Sequence, residues 1–455
     1  MPKGVQKIQF SFEEYGLSHF GGMWLIQRFC KKISLKKHLQ DHVRIDQRRS
    51  NYHFAELILA LLYSIIMGLR RINKTEILQY NGAFLAMLGL SKFPDQSTLR
   101  RFLARLLPRD IRQLVRLHDS LRAQLFTLPY KRHSLTFDID SIVVTLYGQQ
   151  ENARIGYNPK KRGRRSYHPI VCFEAHFQEF WHGSLRPGNA FSSTGIIGFL
   201  KACLAKVPSG IAMSRVRFRM DSGFYSLLVA SFLDAIGCGY VIVAKEYATI
   251  KARACACRFK RFSNGWETGE FRAPIRQSSN KLFRFVVVRR PIPEDPVEAQ
   301  QLKLFQDKKY VYHIFVTNLK TTPWRVYLFY NPRAIVEKNN RELLYDYPLA
   351  KIPSASWTAN VAFFQLILFA ANIVHWFKRL CLPREYWTVT LDTIRTDFLI
   401  LPAKLVRRQK LNIIKLPHDY HYRKEFLAAF TQVSRLKMFE KFRFCKPPRD
   451  RLHRG

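Results

Sequence analysis

The sequence predicts an α/β protein: an all-α N-terminal region, then a mixed sheet with helices on its faces, interrupted by a β-rich insertion. Three observations carry this. Up to about residue 130 apolar residues recur at helical spacing, and from 134 they alternate or cluster as strands do. From 247 to about 318 that pattern breaks, and strand-like segments make a β-rich insertion the expectation over another αβ repeat.

In the N-terminal region Leu57, Leu61, Leu62 and Ile65 keep a 3.6-residue period, as do Leu99, Phe102, Leu103 and Leu106. The segment FPDQSTLRRFLARLLP has start signals in Asp95 and Ser97 and a stop in Pro108. Arg100, Arg101 and Arg105 stud its polar face, which suits a helix that reads DNA and equally an ordinary solvated face. After 134, SLTFDIDSIVVTLY reads as a strand, and HPIVCFEAHF and FWHGSLRPG as two strands about a tight turn. TGIIGFLKACLAK reads as a helix, VRFRMDS as a strand, YSLLVASFLDAIG as a helix and GYVIVAKE as a strand. The order strand–strand–strand–helix–strand–helix–strand is that of the ribonuclease H-like fold. In that fold the first and fourth strands are neighbours, which brings Asp140 beside Asp221.

Arg/Phe alternation in RFKRF, GEFRAPI and LFRFVVVRR predicts insertion strands with one wet face, followed by the loop PIPEDPVEAQQ. Thr322 and Pro323 then read as an N-cap and a first-turn proline opening a helical stretch. The expected regions are 1–130, helical; 131–246, first part of the core; 247–318, insertion; 319–390, second part; and 391–455, a basic tail. That tail carries 16 Lys and Arg against 6 Asp and Glu, with Phe and Tyr interspersed, a pattern suited to DNA tracking or to simple solvation.

Composition bounds the partner. Lys and Arg number 75 and Asp and Glu 33, a net charge of +42 with a pI near 10.3. Polyanions are the expected partners; a membrane surface or ribosomal RNA is the bland alternative. A hydrophobic content of 47% with 36 Phe excludes a disordered basic protein. Eight cysteines form no CxxC pair, so reduced buried thiols are expected rather than a zinc site or disulfides. The first residues show no apolar signal core, and a cytoplasmic location is expected. LILALLYSIIMGL is too short to span a bilayer, and VAFFQLILFAANIVHWF contains Gln365, Asn372 and His375. Both read as core helices. The histidines His133, His168 and His182 lack ligand spacing and read as core or surface residues.

Three carboxylates stand out: Asp140 in FDIDSIVV, Asp221 in VRFRMDSGFYS and Glu337 in YNPRAIVEKNNREL. A carboxylate closing a buried strand is costly unless hydrogen-bonded or bound to a cation. Oxygen donors on three separate elements suit one or two Mg²⁺ ions and phosphodiester chemistry. Asp138 lies two residues from Asp140 and faces the same way, so it is the second choice as a ligand.

Asp140-Ser, the segment Asp221-Ser-Gly-Phe-Tyr-Ser and Tyr330-x2-Arg333-x3-Glu337 together resemble a DDE transposase of bacterial insertion sequences. The resemblance is to the cut-and-paste group with a β-rich insertion before the catalytic glutamate, and it covers roughly residues 90–375. QQENARIGYNPKKRGRRSYHPIVCF and LRPGN resemble the branch in which such a stretch follows the first aspartate. The resemblance implies that Asp140, Asp221 and Glu337 hold two divalent ions, Mg²⁺ or Mn²⁺ in its place. It favours Asp140 over Asp138 because Ser141 follows it, and Glu337 over Glu342 or Asp346 because only Glu337 has the Tyr and Arg at the right offsets. Arg333 and Glu337, at i and i+4, share a helix face and serve either phosphate and metal or a plain ion pair. The family's lysine seven residues after the glutamate is here Leu344.

Lys160, Lys161, Arg162, Arg164 and Arg165 fill five of six positions in KKRGRR, and the resemblance implies a phosphate clamp. A solvated loop and a targeting signal are the rivals. In this group the insertion carries an aromatic that stacks on an extruded base; Trp266 is the candidate, with core packing the equal alternative. The implied partners are double-stranded DNA (terminal inverted repeats and target) and further copies of the chain, a homodimer or larger, in the nucleoid of a bacterial cell. The competing functions are a decayed transposase that only binds DNA, and a ribonuclease H-like nuclease.

Overall fold

The computed structural model describes residues 13–14, 16–47, 51–81, 84–86, 92–126, 134–262, 265–276, 279–292, 305–306, 309–408 and 411–437. The described residues fall into two compact units, one within 1–41, 45–102 and 373–441 and the other within 42–44, 103–372 and 442–455.

In the first unit the apolar helix Phe54–Ile66 is almost wholly buried, and a reciprocal capping box of His53 and Glu56 starts it. Its last carbonyls, on Ile65 and Ile66, accept from the buried guanidinium of Arg395, as the free C=O groups of a helix end require. The stretch after 391, expected as a tail, is folded through Arg435. Leu391, Ile394, Phe398 and Leu399 are buried, and the strands Ala403–Arg408 and Leu411–Lys415 pair as a hairpin on Leu17–Ser18. Its buried apolar residues belong to the first unit, which a reading of charge alone passed over.

The second unit is built on a ten-stranded mixed sheet. Its strands are β1 (Leu135–Ser141), β2 (Ile170–Glu174), β3 (Glu179–Ser184), β4 (Val216–Met220), β5 (Gly239–Val243), β6 (Lys260–Arg261), β7 (Glu267–Ala273), β8 (Phe283–Pro291), β9 (Phe305–Gln306) and β10 (Tyr310–Thr317). The order is β6-β7-β8-β10-β5-β4-β1-β2-β3, with β9 paired to β10. β1, β4 and β5 run parallel, and the remaining pairings are antiparallel. The insertion therefore continues the same sheet through the β5–β10 pairing. The loop expected at PIPEDPVEAQQ lies mostly outside the described residues.

Alternation along the strands makes two cores. Phe137, Ile139, Phe218, Met220, Tyr240 and Ile242 pack with helices α1 (Ile196–Leu204) and α2 (Leu227–Ala235), near α3 (Ala248–Cys255). On the other face Val241, Val286, Val288 and Phe315 pack with α4 (Pro323–Tyr330), which Thr322 caps and Pro323 opens. α5 (Ala334–Tyr345) follows directly.

The helix Trp357–Cys381 is long and apolar enough to cross a membrane by composition, yet it is mostly buried within the protein. Its polar residues have structural work: Gln365 donates to Gly183, and Asn372 both accepts from the Phe180 amide at 2.7 Å and donates to its carbonyl at 2.8 Å. These bonds cover the edge strand β3, whose backbone groups lack a second neighbouring strand. Replacing Asn372 with Leu orphans a buried N–H and a buried C=O. The expected loss of unfolding free energy is about 2–6 kcal/mol, from ~1–3 per orphaned group, measured by urea-induced unfolding. A loss under ~1 kcal/mol would show that water takes over both bonds.

Candidate active site

Strand register builds the site. In the parallel β1–β4 pair Asp138 lies opposite Arg219 and Ile139 opposite Met220, so Asp140 and Asp221 end their strands abreast. Their neighbours Ile139 and Met220 point into the core, which turns both aspartates toward the α4 face.

Asp138 is fully buried and held in a two-pronged grip, with Arg219 Nε to Oδ1 at 2.6 Å and Nη2 to Oδ2 at 2.7 Å. Arg219 also donates to the Phe329 carbonyl at the end of α4. Both Asp138 oxygens are thus committed within the protein. Burial raises its pKa, and Arg219 opposes that rise.

Asp140 faces a different set of partners. Oδ1 accepts from the Ser141 amide at 2.9 Å and lies 3.2 Å from Arg333 Nη2, while Oδ2 accepts from Asn340 Nδ2 at 2.7 Å. Burial pushes this carboxyl up to about 6; Arg333 pulls it down, and the negative charges of Asp221 and Glu337 push it up. Arg333, itself buried, donates to the Ile139 carbonyl at 3.1 Å and stands 3.7 Å from Glu337 Oε1. Burial works against its charge, but Asp140, Tyr330, Asp221 and Asp138 together raise its pKa. Glu337 is the most open of the three carboxylates, its side chain 68% exposed.

Asp221 caps the single turn Ser222–Phe224, accepting from the Gly223 amide at 2.9 Å. A Cβ on Gly223 would lie 2.9 Å from Ser192 Oγ and 3.0 Å from the Asp221 carboxylate, so any larger residue here must displace one of these side chains. Ser192 in turn meets Ser141 at 3.1 Å. Tyr330 packs on Phe315, and burial pushes its hydroxyl up to about 12.

The structure therefore brings Asp140, Asp221, Tyr330, Arg333 and Glu337 to one place. Among the described residues no group of three His, Cys, Asp or Glu side chains is arranged to hold a metal ion; Arg333 lies between Asp140 and Glu337. Sequence reasoning missed Asn340, although its offset of seven from Arg333 places it on the same helix stripe. Leu344 is half-buried one turn further, and exposed Arg341 sits between them. The rivals separate too: Glu342 is buried and Asp346 half-buried.

The other expected residues lie elsewhere. Lys160, Lys161, Arg162, Arg164 and Arg165 are all exposed, and none forms an ion pair with a described residue. Trp266 belongs to an aromatic cluster, 5.6 Å from Trp324 and 5.1 Å from Tyr327, with Arg290 over its ring. Arg100 and Arg101 are exposed on the helix Gln96–Arg105, where Arg101 folds back on Ser97 and Thr98. Pro108, expected as a stop, opens the next helix, Pro108–Phe126. His168 bonds to the Ala190 carbonyl and His182 to Lys206; His133 and Cys445 lie outside the described residues.

A family model for the transposase DDE domain, group 1, matches residues 2–438. The chain belongs to this family. It is a DNA transposase, of the class of enzymes that cleave and transfer DNA strands, and the family works with divalent metal. No curated protein matches the sequence. Among solved structures, a piggyBac transposase synaptic complex with hairpin DNA is similar at a TM-score of 0.43 and 11% identity, over 95% of this chain and 88% of that one. A pre-cleavage Mos1 transpososome is similar at a TM-score of 0.18 and 15% identity, over 48% of this chain and 68% of that one.

The Asp140 environment predicts a pH dependence with a definite sign. A carboxyl near 6 when folded and about 3.9 when unfolded makes the folded state bind the extra proton. Its stabilising share is then present below pH ~4 and lost as pH rises through ~6. In chelator, the melting temperature of Asp140→Asn relative to the unsubstituted protein should climb between about pH 4 and about pH 7, flattening above that range. A difference that stays constant across this window would place the carboxyl at an ordinary value.

Proposed function

We propose that this transposase acts at the ends of an insertion sequence, cleaving there and joining the freed 3′-hydroxyl to target DNA, with Asp140, Asp221 and Glu337 as its catalytic carboxylates. The observation that carries the reading is the pair Asp140 and Asp221 ending adjacent parallel strands, with the Arg333–Glu337–Asn340 stripe against them. The strand order β3-β2-β1-β4-β5 supports a ribonuclease H-like core. The donors are all oxygen, which fits a hard divalent cation, and we assign Mg²⁺ with Mn²⁺ as a substitute. Burial supports that fit, since a charged Asp140 needs a cation beside it and Arg333 supplies one in the protein alone. A bound pair of such ions would activate the attacking oxygen and stabilise the leaving one.

The chain's own residues orient the donors. Gly223 N–H fixes one oxygen of Asp221, Asn340 and Ser141 N–H fix those of Asp140, and Arg219 removes Asp138 from competition. Tyr330 and Arg333 contact DNA beside the carboxylates, and we assign the phosphate contact of the family lysine to Arg341, exposed one turn after Glu337. The helical N-terminal region, with Arg100 and Arg101, reads the element ends, and Trp266 stacks on an extruded base. The cations of 160–165 grip phosphates in both element and target DNA. Two or more copies hold paired ends together, in a bacterial nucleoid.

Incubation with Mg²⁺ and labelled element ends separates the readings: joining supports transposition, cleavage alone a nuclease, binding alone a decayed enzyme. Asp140→Ala, Asp221→Ala and Glu337→Ala should each abolish cleavage while leaving DNA binding near that of the unsubstituted protein, because removing negative charge cannot weaken phosphate attraction. Cleavage that survives in Glu337→Ala moves the third carboxylate elsewhere; loss in Asp138→Ala with retention in Asp140→Ala reverses the choice between those two.

Changing Lys160, Lys161, Arg162, Arg164 and Arg165 together to Gln should weaken binding to every sequence alike. It should flatten the log–log salt dependence by about 0.9 per lost phosphate contact, and preference for element ends should survive, since phosphate contacts read no bases. An unchanged salt slope would make this loop ordinary surface.

A further inference from the structure

Beside the carboxylate pair stands a residue that the reading above does not use. Phe191 is 72% exposed, an unusual setting for a phenyl ring one residue from such a site. Its neighbour Ser192 touches both strand ends: Oγ meets Ser141 Oγ at 3.1 Å and lies 2.9 Å from where a Gly223 Cβ would be. Phe191 is therefore next in chain to the residue wedged between the Asp140 and Asp221 elements.

Exposure here does not follow from a loose loop. Buried Arg186 donates through Nη1 to the carbonyls of Phe191, Ser192 and Thr194 at 3.2, 3.2 and 3.0 Å, and through Nε to the His168 carbonyl at 2.9 Å. The Phe191 amide donates to Thr194 Oγ1 at 3.1 Å, and the Thr194 amide returns to the Phe191 carbonyl at 2.9 Å. The His168 ring holds the carbonyl of Ala190. The backbone on both sides of Phe191 is thus anchored to the sheet, and the ring is held out of the core with no ring partner among the described residues.

Its loop is tied to a surface that is cationic and aromatic. Gly156 packs on Gly188 and Asn189 so closely that a Cβ there would fall 2.1 Å from the Gly188 carbonyl oxygen. That contact ties the Phe191 loop to the small sheet of Val144–Thr145, Arg154–Ile155 and Arg165–Tyr167. The same small sheet carries the exposed cations of 160–165, and Tyr147 and Tyr157 stand 76% and 68% exposed at its ends. Cations that follow a phosphate backbone, interleaved with open rings, form a surface for nucleic acid whose bases are unpaired.

We infer that Phe191 is a stacking platform for an unpaired DNA base beside the carboxylate pair, a site distinct from the Trp266 cluster. The inference rests on the transposase reading and adds the state of the DNA there: the end is frayed, and a base freed from pairing lies on the Phe191 ring. A duplex base pair could not use an isolated phenyl face in this way, whereas every unpaired base has a π-face to offer.

The test uses the full chain in chelator and two duplexes of one sequence, one fully paired and one with mismatched terminal pairs carrying 2-aminopurine. The unsubstituted protein should prefer the mismatched duplex and change the 2-aminopurine emission. Phe191→Ala should bind the paired duplex as before and lose about 5-fold to about 150-fold of that preference, the range one base–aromatic stack provides. Phe191→Trp should keep it. The exposed position makes unchanged melting temperatures the expectation for both variants. An equal preference and an equal emission change in Phe191→Ala overturn the inference, as does an unsubstituted protein that treats the two duplexes alike. Failure to bind either duplex would instead strike the transposase reading itself and this inference with it.

Discussion

A carboxylate that ends a buried central strand needs a positive partner, and in this chain the contact between Asp140 and Arg333 meets that need. Its consequences extend well beyond the pair. Arg333 reaches Asp140 only because α5 docks against the end of β1, and the same guanidinium holds the Ile139 carbonyl. One turn along the helix, Glu337 is then carried to the rim. A second pair repeats the device one step deeper, where Arg219 grips Asp138 and the carbonyl of Phe329 at the end of α4. Two arginines, each joining a strand carboxylate to a backbone carbonyl, fix the register of the α4–α5 segment against β1 and β4.

Such pairs are poor investments for stability alone. Withdrawing two charges from water costs several kcal/mol per ion, and apolar replacements of the same volume are often as stable. Breaking one partner is another matter, since the remaining charge stays buried without compensation. The arrangement therefore favours position over strength. Asp138 is wholly spent on Arg219, with both oxygens engaged by one guanidinium. Asp140 is held by three separate donors on two elements, Ser141 and then Asn340 and Arg333 of the α5 segment.

Much of this was legible in the sequence because strand periodicity and charge scarcity act locally. The alternation in SLTFDIDSIVV and VRFRMDS gives both the strands and the shared face of Asp138 and Asp140, and Thr322–Pro323 gives the start of α4. What escaped is set by long-range pairing. Nothing within GEFRAPI or LFRFVVVRR says that β10 will dock on β5 and make the insertion part of one sheet. Asn340 escaped because an asparagine on a helix has many uses, and only the docked position of α5 turns it toward Asp140. The fold of the stretch after 391 was hidden by its charge, although Leu391, Ile394 and Phe398 form a buried helical stripe within it. Phe191 stayed invisible for the opposite reason: in a chain with 36 Phe, sequence alone cannot tell a ring held outside from those packed within.

Electrostatics at two ranges reconciles the site with its surroundings. A net charge of +42 draws phosphate toward the chain from a distance, though salt limits its reach to about a Debye length. At the carboxylate cluster the sign reverses, and bare anions there would push a phosphodiester away. Arg333 moderates this reversal, since its buried cation stands within 4 Å of both Asp140 and Glu337. At the end of β4 Asp221 accepts from the Gly223 N–H, and its charge also helps to raise the pKa of Arg333. The Ser192 loop closes over that end, and the open ring of Phe191 lies beside it.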